Sequence, residues 1–120
     1  ARRQLAVSGA VANGPLGYQV RVAVTQGARQ RQATGTVQLT DRASGAVWTA
    51  YRIGTVQTAP GWTSVTAVLR DKAGKLRPAT ITLDRSDATA TPIVPTLVVR
   101  LDDSAELTGA LSAEAGRAAR

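Results

Sequence analysis

The side chains that most often carry enzyme chemistry are missing from this sequence. Its 120 residues contain no histidine and no cysteine. A serine–histidine–aspartate triad, a cysteine nucleophile and a thiolate metal site are therefore excluded. A serine–lysine pair would have to use Lys72 or Lys75, and both lie in a turn-like segment where solvated lysines are the simpler interpretation. We expect a protein that is not an enzyme and that uses no cofactor.

The eight carboxylates are the remaining candidates for acid–base or metal chemistry. Most of them follow a strand-like segment, where an aspartate accepts hydrogen bonds from the backbone of a turn. Asp102, Asp103 and Glu106 form one cluster of hard oxygen ligands, the type that calcium prefers. The ligand spacing of a calcium loop is absent, so we predict a solvated turn and no metal, with calcium as the open alternative.

The basic residues give the chain a formal net charge of +7, and most of them are arginines. GC-rich coding explains such a composition without any function. The functional interpretation is an anionic partner, which includes nucleic acid, an acidic polysaccharide, a membrane surface and an acidic protein face. The segment Arg29-Gln30-Arg31-Gln32 is the clearest basic loop.

Nucleic acid is the partner that the composition supports least. The glycine-rich segment 13–17 precedes a strand instead of the helix that a phosphate loop requires. Single-strand binders also need stacking aromatics, and the four available are Tyr18, Trp48, Tyr51 and Trp62. Trp48 alternates out of phase with Val47 and Ile53. Its face is therefore either an outward platform for a sugar or a subunit, or one side of a strand buried on both faces.

Alternation of apolar and polar residues is the main structural signal, and it is clearest over residues 18–25. Similar segments recur at 5–11, 36–40, 46–53, 62–70, 77–84, 96–102 and 106–111. Such spacing predicts an all-β fold, an antiparallel β-sandwich of Ig-like or jelly-roll-like type with seven or eight strands. We expect one domain over 1–111 with an N-terminal arm at 1–4, a proline-containing crossing at 88–95 and a short C-terminal tail at 112–120.

Three segments together resemble a known module. They are Tyr18 to Val24, then Gly35 to Gly45 with its Asp41-containing hairpin, then Val47 to Ile53. This order is similar to the small β-sandwich domains of the post-choice-of-anchor type, which stand at the C-terminus of secreted bacterial proteins. The resemblance covers roughly the first half of the chain and leaves residues 89–95 unmatched. It implies a secreted, non-catalytic accessory domain and assigns no functional residue.

The sequence leaves two functions open. The leading prediction is a structural subunit of a homo-oligomeric assembly, extracellular or on a particle surface, because the polar ends of the chain need a neighbour to hold them. The N-terminal arm would add a strand to a neighbour's sheet. The alternative is an accessory binding module of a secreted protein that recognises an anionic glycan or surface. The start at Ala1 fits removal of a signal peptide and excision of a domain equally. The predicted contact residues are Arg2, Arg3, Arg29, Arg31, Trp48, Trp62, Arg117 and Arg120.

Overall fold

Stiff β-branched side chains at alternate positions produce eight antiparallel strands. The computed structural model describes residues 3–85, 96–101 and 106–110. Within these residues the strands are β1 (Arg3–Asn13), β2 (Leu16–Gln26), β3 (Thr34–Asp41), β4 (Val47–Ala59), β5 (Trp62–Arg70), β6 (Leu76–Asp84), β7 (Thr96–Leu101) and β8 (Leu107–Ala110). The predicted all-β antiparallel fold is confirmed. The described part of the chain contains no helix of the length and apolar character needed to span a membrane.

The strand order follows the chain order, and the sheet closes on itself. Each strand pairs with the next one, and β8 returns to β1 through the pairing of Ala12 with Thr108. This order differs from the predicted Ig-like or jelly-roll-like sandwich, since those folds contain Greek-key crossovers. Arg3 and Gln4, which the sequence assigned to an arm, pair with Gln26 and Thr25 inside β1.

Aliphatic side chains fill the interior of the closed sheet. On β2 the predicted alternation is confirmed, because Tyr18, Val20, Val22 and Val24 are all buried and the residues between them are exposed. The largest of the fully buried side chains are leucines and isoleucine from most of the other strands: Leu5, Leu39, Leu69, Ile81, Leu83, Leu97, Leu101 and Leu107. Such small, branched side chains suit the narrow interior of an eight-stranded barrel.

Aspartates close two of the hairpins, as the sequence predicts. One Asp41 carboxylate oxygen accepts hydrogen bonds from the backbone N–H groups of Ala43 and Ser44, at 2.9 and 3.3 Å. Asp71 accepts from Ala73 and Lys75 in the same way, at 3.0 and 2.9 Å. Both carboxylates therefore stabilise turns between strands.

Strand β4 is irregular, and its irregularities decide which side chains face outward. The register against β5 shifts between Ala50 and Arg52 and again between Ile53 and Val56. Each shift adds residues to β4 without a partner on β5, which is the definition of a β-bulge. As a result Trp48, Ala50 and Ile53 all pack against the core, whereas Tyr51 is 52% exposed. A strict alternation would have placed Tyr51 and Ile53 on the same face.

Beyond its short pairing with β3, the second half of β4 is hydrogen-bonded to side chains of β1 and β2. The two strands pair only over three positions, from Gln38 with Thr49 to Thr40 with Val47. Farther along, the buried Gln26 accepts a hydrogen bond from the Val56 N–H at 2.8 Å, and Arg3 donates to the Val56 carbonyl at 3.1 Å. The Ala33 N–H also donates to the Gly54 carbonyl at 2.8 Å, so the backbone of β4 stays hydrogen-bonded beyond its pairing with β3.

Gly109 permits the contact that closes the barrel. A side-chain carbon at this position would lie far inside contact distance of the Ala10 carbonyl oxygen on β1. The approach of β8 to β1 therefore requires a residue without a side chain.

We expect Gly109→Ala to lower the free energy of unfolding by about 1–3 kcal/mol, because the added carbon forces β8 away from β1. Gly17→Ala is the matched control, since its new carbon meets neighbouring atoms only at ordinary contact distances of 3.6 and 3.7 Å. Urea unfolding followed by far-UV circular dichroism measures both. Equal stability of the two variants would show that β8 does not depend on this close approach.

Candidate functional site

The outer face of β4 to β7 carries rows of side chains that lie side by side across the strands. Arg52 on β4 is opposite Val68 on β5, which is opposite Pro78 on β6. In the next row, Thr66 is opposite Thr80, which is opposite Arg100 on β7. Side chains on one face at opposite positions are near neighbours, so these two rows form a continuous surface.

A shallow depression of about 350 Å³ lies on these two rows. We call it the Arg52–Arg100 groove, and its outward side chains are Arg52, Thr66, Val68, Pro78, Thr80 and Arg100. The floor combines two hydroxyls with the aliphatic atoms of Val68 and Pro78. An arginine stands at each end, about 15 Å apart between Cα atoms if neighbouring strands are about 4.8 Å apart. A volume in this range is typical of small-ligand sites.

The bulges of β4 shape one end of this groove. Arg52 lies between the two register shifts and is exposed, and Gly54 lines the groove next to it. A side-chain carbon on Gly54 would collide with the Thr66 hydroxyl. The absence of a side chain at Gly54 therefore keeps the Thr66 hydroxyl accessible from the groove.

Glu106 forms an ion pair with Arg100, the arginine at the other end of the groove. The Arg100 guanidinium donates to the Glu106 carboxylate at 2.7 Å, and both side chains are at least half exposed. Asn13 donates to the Glu106 backbone carbonyl at 3.0 Å, which links this residue to β1. Arg100 is thus held beside the groove by a carboxylate that water can reach.

A second depression, of about 530 Å³, lies next to the first on β4, β5 and the turn after β5. We call it the Arg70 cleft, and its side chains include Val47, Thr49, Arg70, Asp71 and Lys72. The Arg70 guanidinium lies 4.9 Å from the ring centre of the exposed Tyr51, at cation–π distance. The cleft therefore combines two cations, a hydroxyl and a carboxylate that accepts hydrogen bonds from its own turn, with an aromatic ring beside it.

Positive charge exceeds negative charge in the part of the chain that the structure describes. The described residues include twelve lysines and arginines and four carboxylates. Two of those carboxylates, Asp41 and Asp71, accept hydrogen bonds from their own turns, and Glu106 pairs with Arg100. Little negative charge remains to offset the arginines, so this face attracts anions.

The arrangement offers guanidinium and hydroxyl groups that can bind a ligand. No group of three or more acidic residues that could hold a metal ion occurs in the part of the chain that the structure describes. Asp102 and Asp103, the other members of the predicted calcium alternative, lie outside that part. Glu106 forms an ion pair with Arg100 instead.

The structure does not bring the predicted contact arginines together on this face. Arg3 lies in β1 and donates to the Val56 carbonyl. Arg29 and Arg31 are exposed in the loop 27–33, which joins β2 to β3 and lines neither depression. Arg2, Arg117 and Arg120 lie outside the described residues, so their role stays a prediction.

The two tryptophans also lie away from the depressions. Trp48 is opposite the buried Leu39 and is partly buried against the core, whereas Tyr51 and Arg52 on the same strand are exposed. β4 is therefore not a strand buried on both faces. The Arg77 guanidinium lies 5.7 Å from its ring centre and donates to the Tyr18 hydroxyl at 3.4 Å. Trp62 is half-buried at the start of β5, four residues from Thr66.

The predicted contact residues do not include Arg52, Arg70, Arg100 or Tyr51, and the sequence offers Tyr51 only as one of four aromatics for stacking. The three arginines lie inside predicted strands, at the polar positions of the alternation. Aligning the predicted strands would have placed these arginines and the threonines of neighbouring strands on the same polar face. The exposure of Tyr51 depends on a bulge, for which the only sequence signal is the later Gly54.

Comparison with protein-family models, curated proteins and solved structures finds no match to this chain. The resemblance to post-choice-of-anchor domains therefore stays a prediction.

We expect Arg77→Ala to increase the quenching of Trp48 fluorescence by acrylamide, because the guanidinium covers one face of a ring that otherwise points into the barrel. A Trp62→Phe background leaves Trp48 as the single tryptophan. Arg70→Ala is the matched control, since Arg70 covers Tyr51 instead. If Trp48 in the background protein is already quenched as strongly as free tryptophan, the inward placement is wrong.

Proposed function

We propose that this chain is a non-enzymatic binding domain that recognises an anionic glycan through the Arg52–Arg100 groove. One observation carries the proposal: two arginines stand at the ends of a shallow floor made of threonine hydroxyls and aliphatic atoms. Guanidinium groups bind carboxylate and sulfate oxygens through paired hydrogen bonds. Threonine hydroxyls match sugar hydroxyls as donors and acceptors.

The floor of the groove favours a sugar over other anions. A sugar ring has an aliphatic C–H face and a rim of hydroxyls, and Val68, Pro78, Thr66 and Thr80 offer the same two kinds of surface. Single-stranded nucleic acid would need several stacking rings. Among the described residues, Tyr51 is the exposed aromatic of this face, and it lies beside the cleft and not in the groove.

The homo-oligomeric assembly stays a separate prediction. It relied on the ends of the chain and on arginines meeting the acidic turns Asp84/Asp87 and Asp102/Asp103 of neighbouring copies. Of these residues the structure describes Arg3 and Gln4, which lie in β1, and Asp84, which ends β6. The cationic surface opposes close packing of copies through this face, because like charges repel. An extracellular or particle-surface location is also a proposal, and it agrees with a glycan ligand.

The test compares two double variants with the same loss of charge. We expect Arg52→Gln/Arg100→Gln to bind polygalacturonate about tenfold more weakly than the parent chain, because an exposed ion pair contributes up to about 1 kcal/mol. Arg29→Gln/Arg31→Gln removes two exposed arginines from the loop 27–33 and should bind nearly as well as the parent. Isothermal titration calorimetry measures the affinities, and neutral dextran serves as the uncharged polymer.

Two outcomes would contradict the proposal. Equal losses in both double variants would mean that net charge alone drives binding, without a site. Equal affinity for dextran would exclude recognition of the anionic groups. Raising sodium chloride from about 0.1 M to about 1 M shortens the Debye length from about 10 Å to about 3 Å, so binding of the parent chain should weaken over that range.

We expect Glu106→Gln to bind polygalacturonate about two- to fivefold more tightly, because the carboxylate at 2.7 Å competes with the ligand for Arg100. The amide keeps the size of the side chain, and Asn13 still donates to the unchanged backbone carbonyl. Glu106→Gln/Arg100→Gln is the control, since it should lose the gain. Weaker binding by Glu106→Gln would show that the ion pair supports the groove instead of blocking it.

A further inference from the structure

The Arg52–Arg100 groove and the Arg70 cleft are adjacent on one surface. Both are built on β4 and β5, where the residues of the cleft and those of the groove follow one another along the strands, with the exposed Tyr51 between Thr49 and Arg52. Thr49 is opposite Arg70, and Arg52 is opposite Val68. Arg70 and Val68 are two residues apart on β5 and face the same side. A ligand that leaves the groove along β5 towards its end therefore reaches the cleft directly.

The cleft offers the same kinds of group as the groove. Arg70 and Lys72 supply positive charge, and Thr49 supplies a hydroxyl. Asp71 also lines the cleft, and its carboxylate accepts hydrogen bonds from the backbone of its own turn. Val47 and the exposed ring of Tyr51 supply apolar surface. Leu76, which is opposite Arg70 on β6, is 51% exposed and extends that apolar surface on the other side. Exposed large apolar side chains around a cation are typical of an interaction site.

We propose that the Arg70 cleft is a second subsite for the same ligand, so that the domain binds an extended anionic polysaccharide and not a single sugar. This inference rests on the proposed function. The Cα atoms of Arg70 and Arg100 are about 16 Å apart, taking four residues along β5 and two strand spacings. Cations at that separation match charges on several successive sugars of one chain. A trisaccharide would fill one depression, whereas a dodecasaccharide would span both.

Chain length and site variants together test the inference. We expect the parent chain to bind an oligogalacturonate dodecasaccharide at least about tenfold more tightly than the trisaccharide, since a second contact on one ligand is intramolecular. Tyr51→Ala/Arg70→Gln should lose most of that ratio while its trisaccharide affinity changes less than twofold. Arg52→Gln/Arg100→Gln should weaken the binding of both oligosaccharides.

Two controls keep the result interpretable. Lys72→Gln changes only an exposed turn residue and should lower the dodecasaccharide-to-trisaccharide ratio in part, even if the double variant is poorly folded. Arg29→Gln/Arg31→Gln should keep the full ratio, which separates a second subsite from a general loss of positive charge. A gain that comes from the larger number of binding registers on a longer polymer would also remain in Tyr51→Ala/Arg70→Gln. Melting temperatures of all variants verify folding.

The outcomes distinguish this inference from the proposed function. The second subsite is wrong if Tyr51→Ala/Arg70→Gln and Lys72→Gln keep the full dodecasaccharide-to-trisaccharide ratio. The groove still stands in that case, provided that trisaccharide binding depends on Arg52 and Arg100. Failure of the parent chain to bind either oligosaccharide would overturn both. Tighter binding of an oligothymidylate of similar charge than of the dodecasaccharide would show that the partner is nucleic acid.

Discussion

The rest of the structure depends on the closure of a single sheet around an aliphatic interior. Every strand pairs with the next in sequence, and β8 pairs with β1. Without that last pairing the sheet would stay open, and its inner face would not be enclosed. That contact rests on a short pairing and on the missing side chain of Gly109. Because the chain has no phenylalanine or methionine, valine and leucine must fill the interior, and a narrow barrel suits their size. Closure also leaves the outer face of the strands for polar residues.

The two bulges of β4 connect this packing to the surface. Without them, strict alternation would give every second residue of β4 the same side, and Trp48 and Ile53 would point in opposite directions. With them, both residues pack against the core. The same shifts leave Tyr51 exposed and place Arg52 at the end of the groove. Bulges often stand next to binding sites because they reorient side chains that regular pleating would fix.

Local patterns predicted the strands and turns well, since burial of alternate residues and aspartate turns act over a few residues. Val20, Val22 and Val24 are buried, and Asp41 and Asp71 close their hairpins, as expected. Two features were beyond such patterns. The closed strand order depends on contacts between the two ends of the chain, and alternation is the same in a sandwich and a barrel. The candidate site was missed because Arg52, Thr66, Thr80 and Arg100 come together only through pairing of four strands.

The location of the acids explains why the arginines form a site on this surface. A carboxylate that accepts backbone hydrogen bonds in a turn stabilises that turn, and its charge acts mainly on the groups beside it. Asp41 and Asp71 act in this way at the same end of the barrel, where β3 and β5 finish. The outer faces of β4 to β7 are left with cations separated by threonines, and Glu106 forms an ion pair with Arg100 there. A face of this kind holds its cations apart on paired strands, so it can match a ligand whose charges are also spaced.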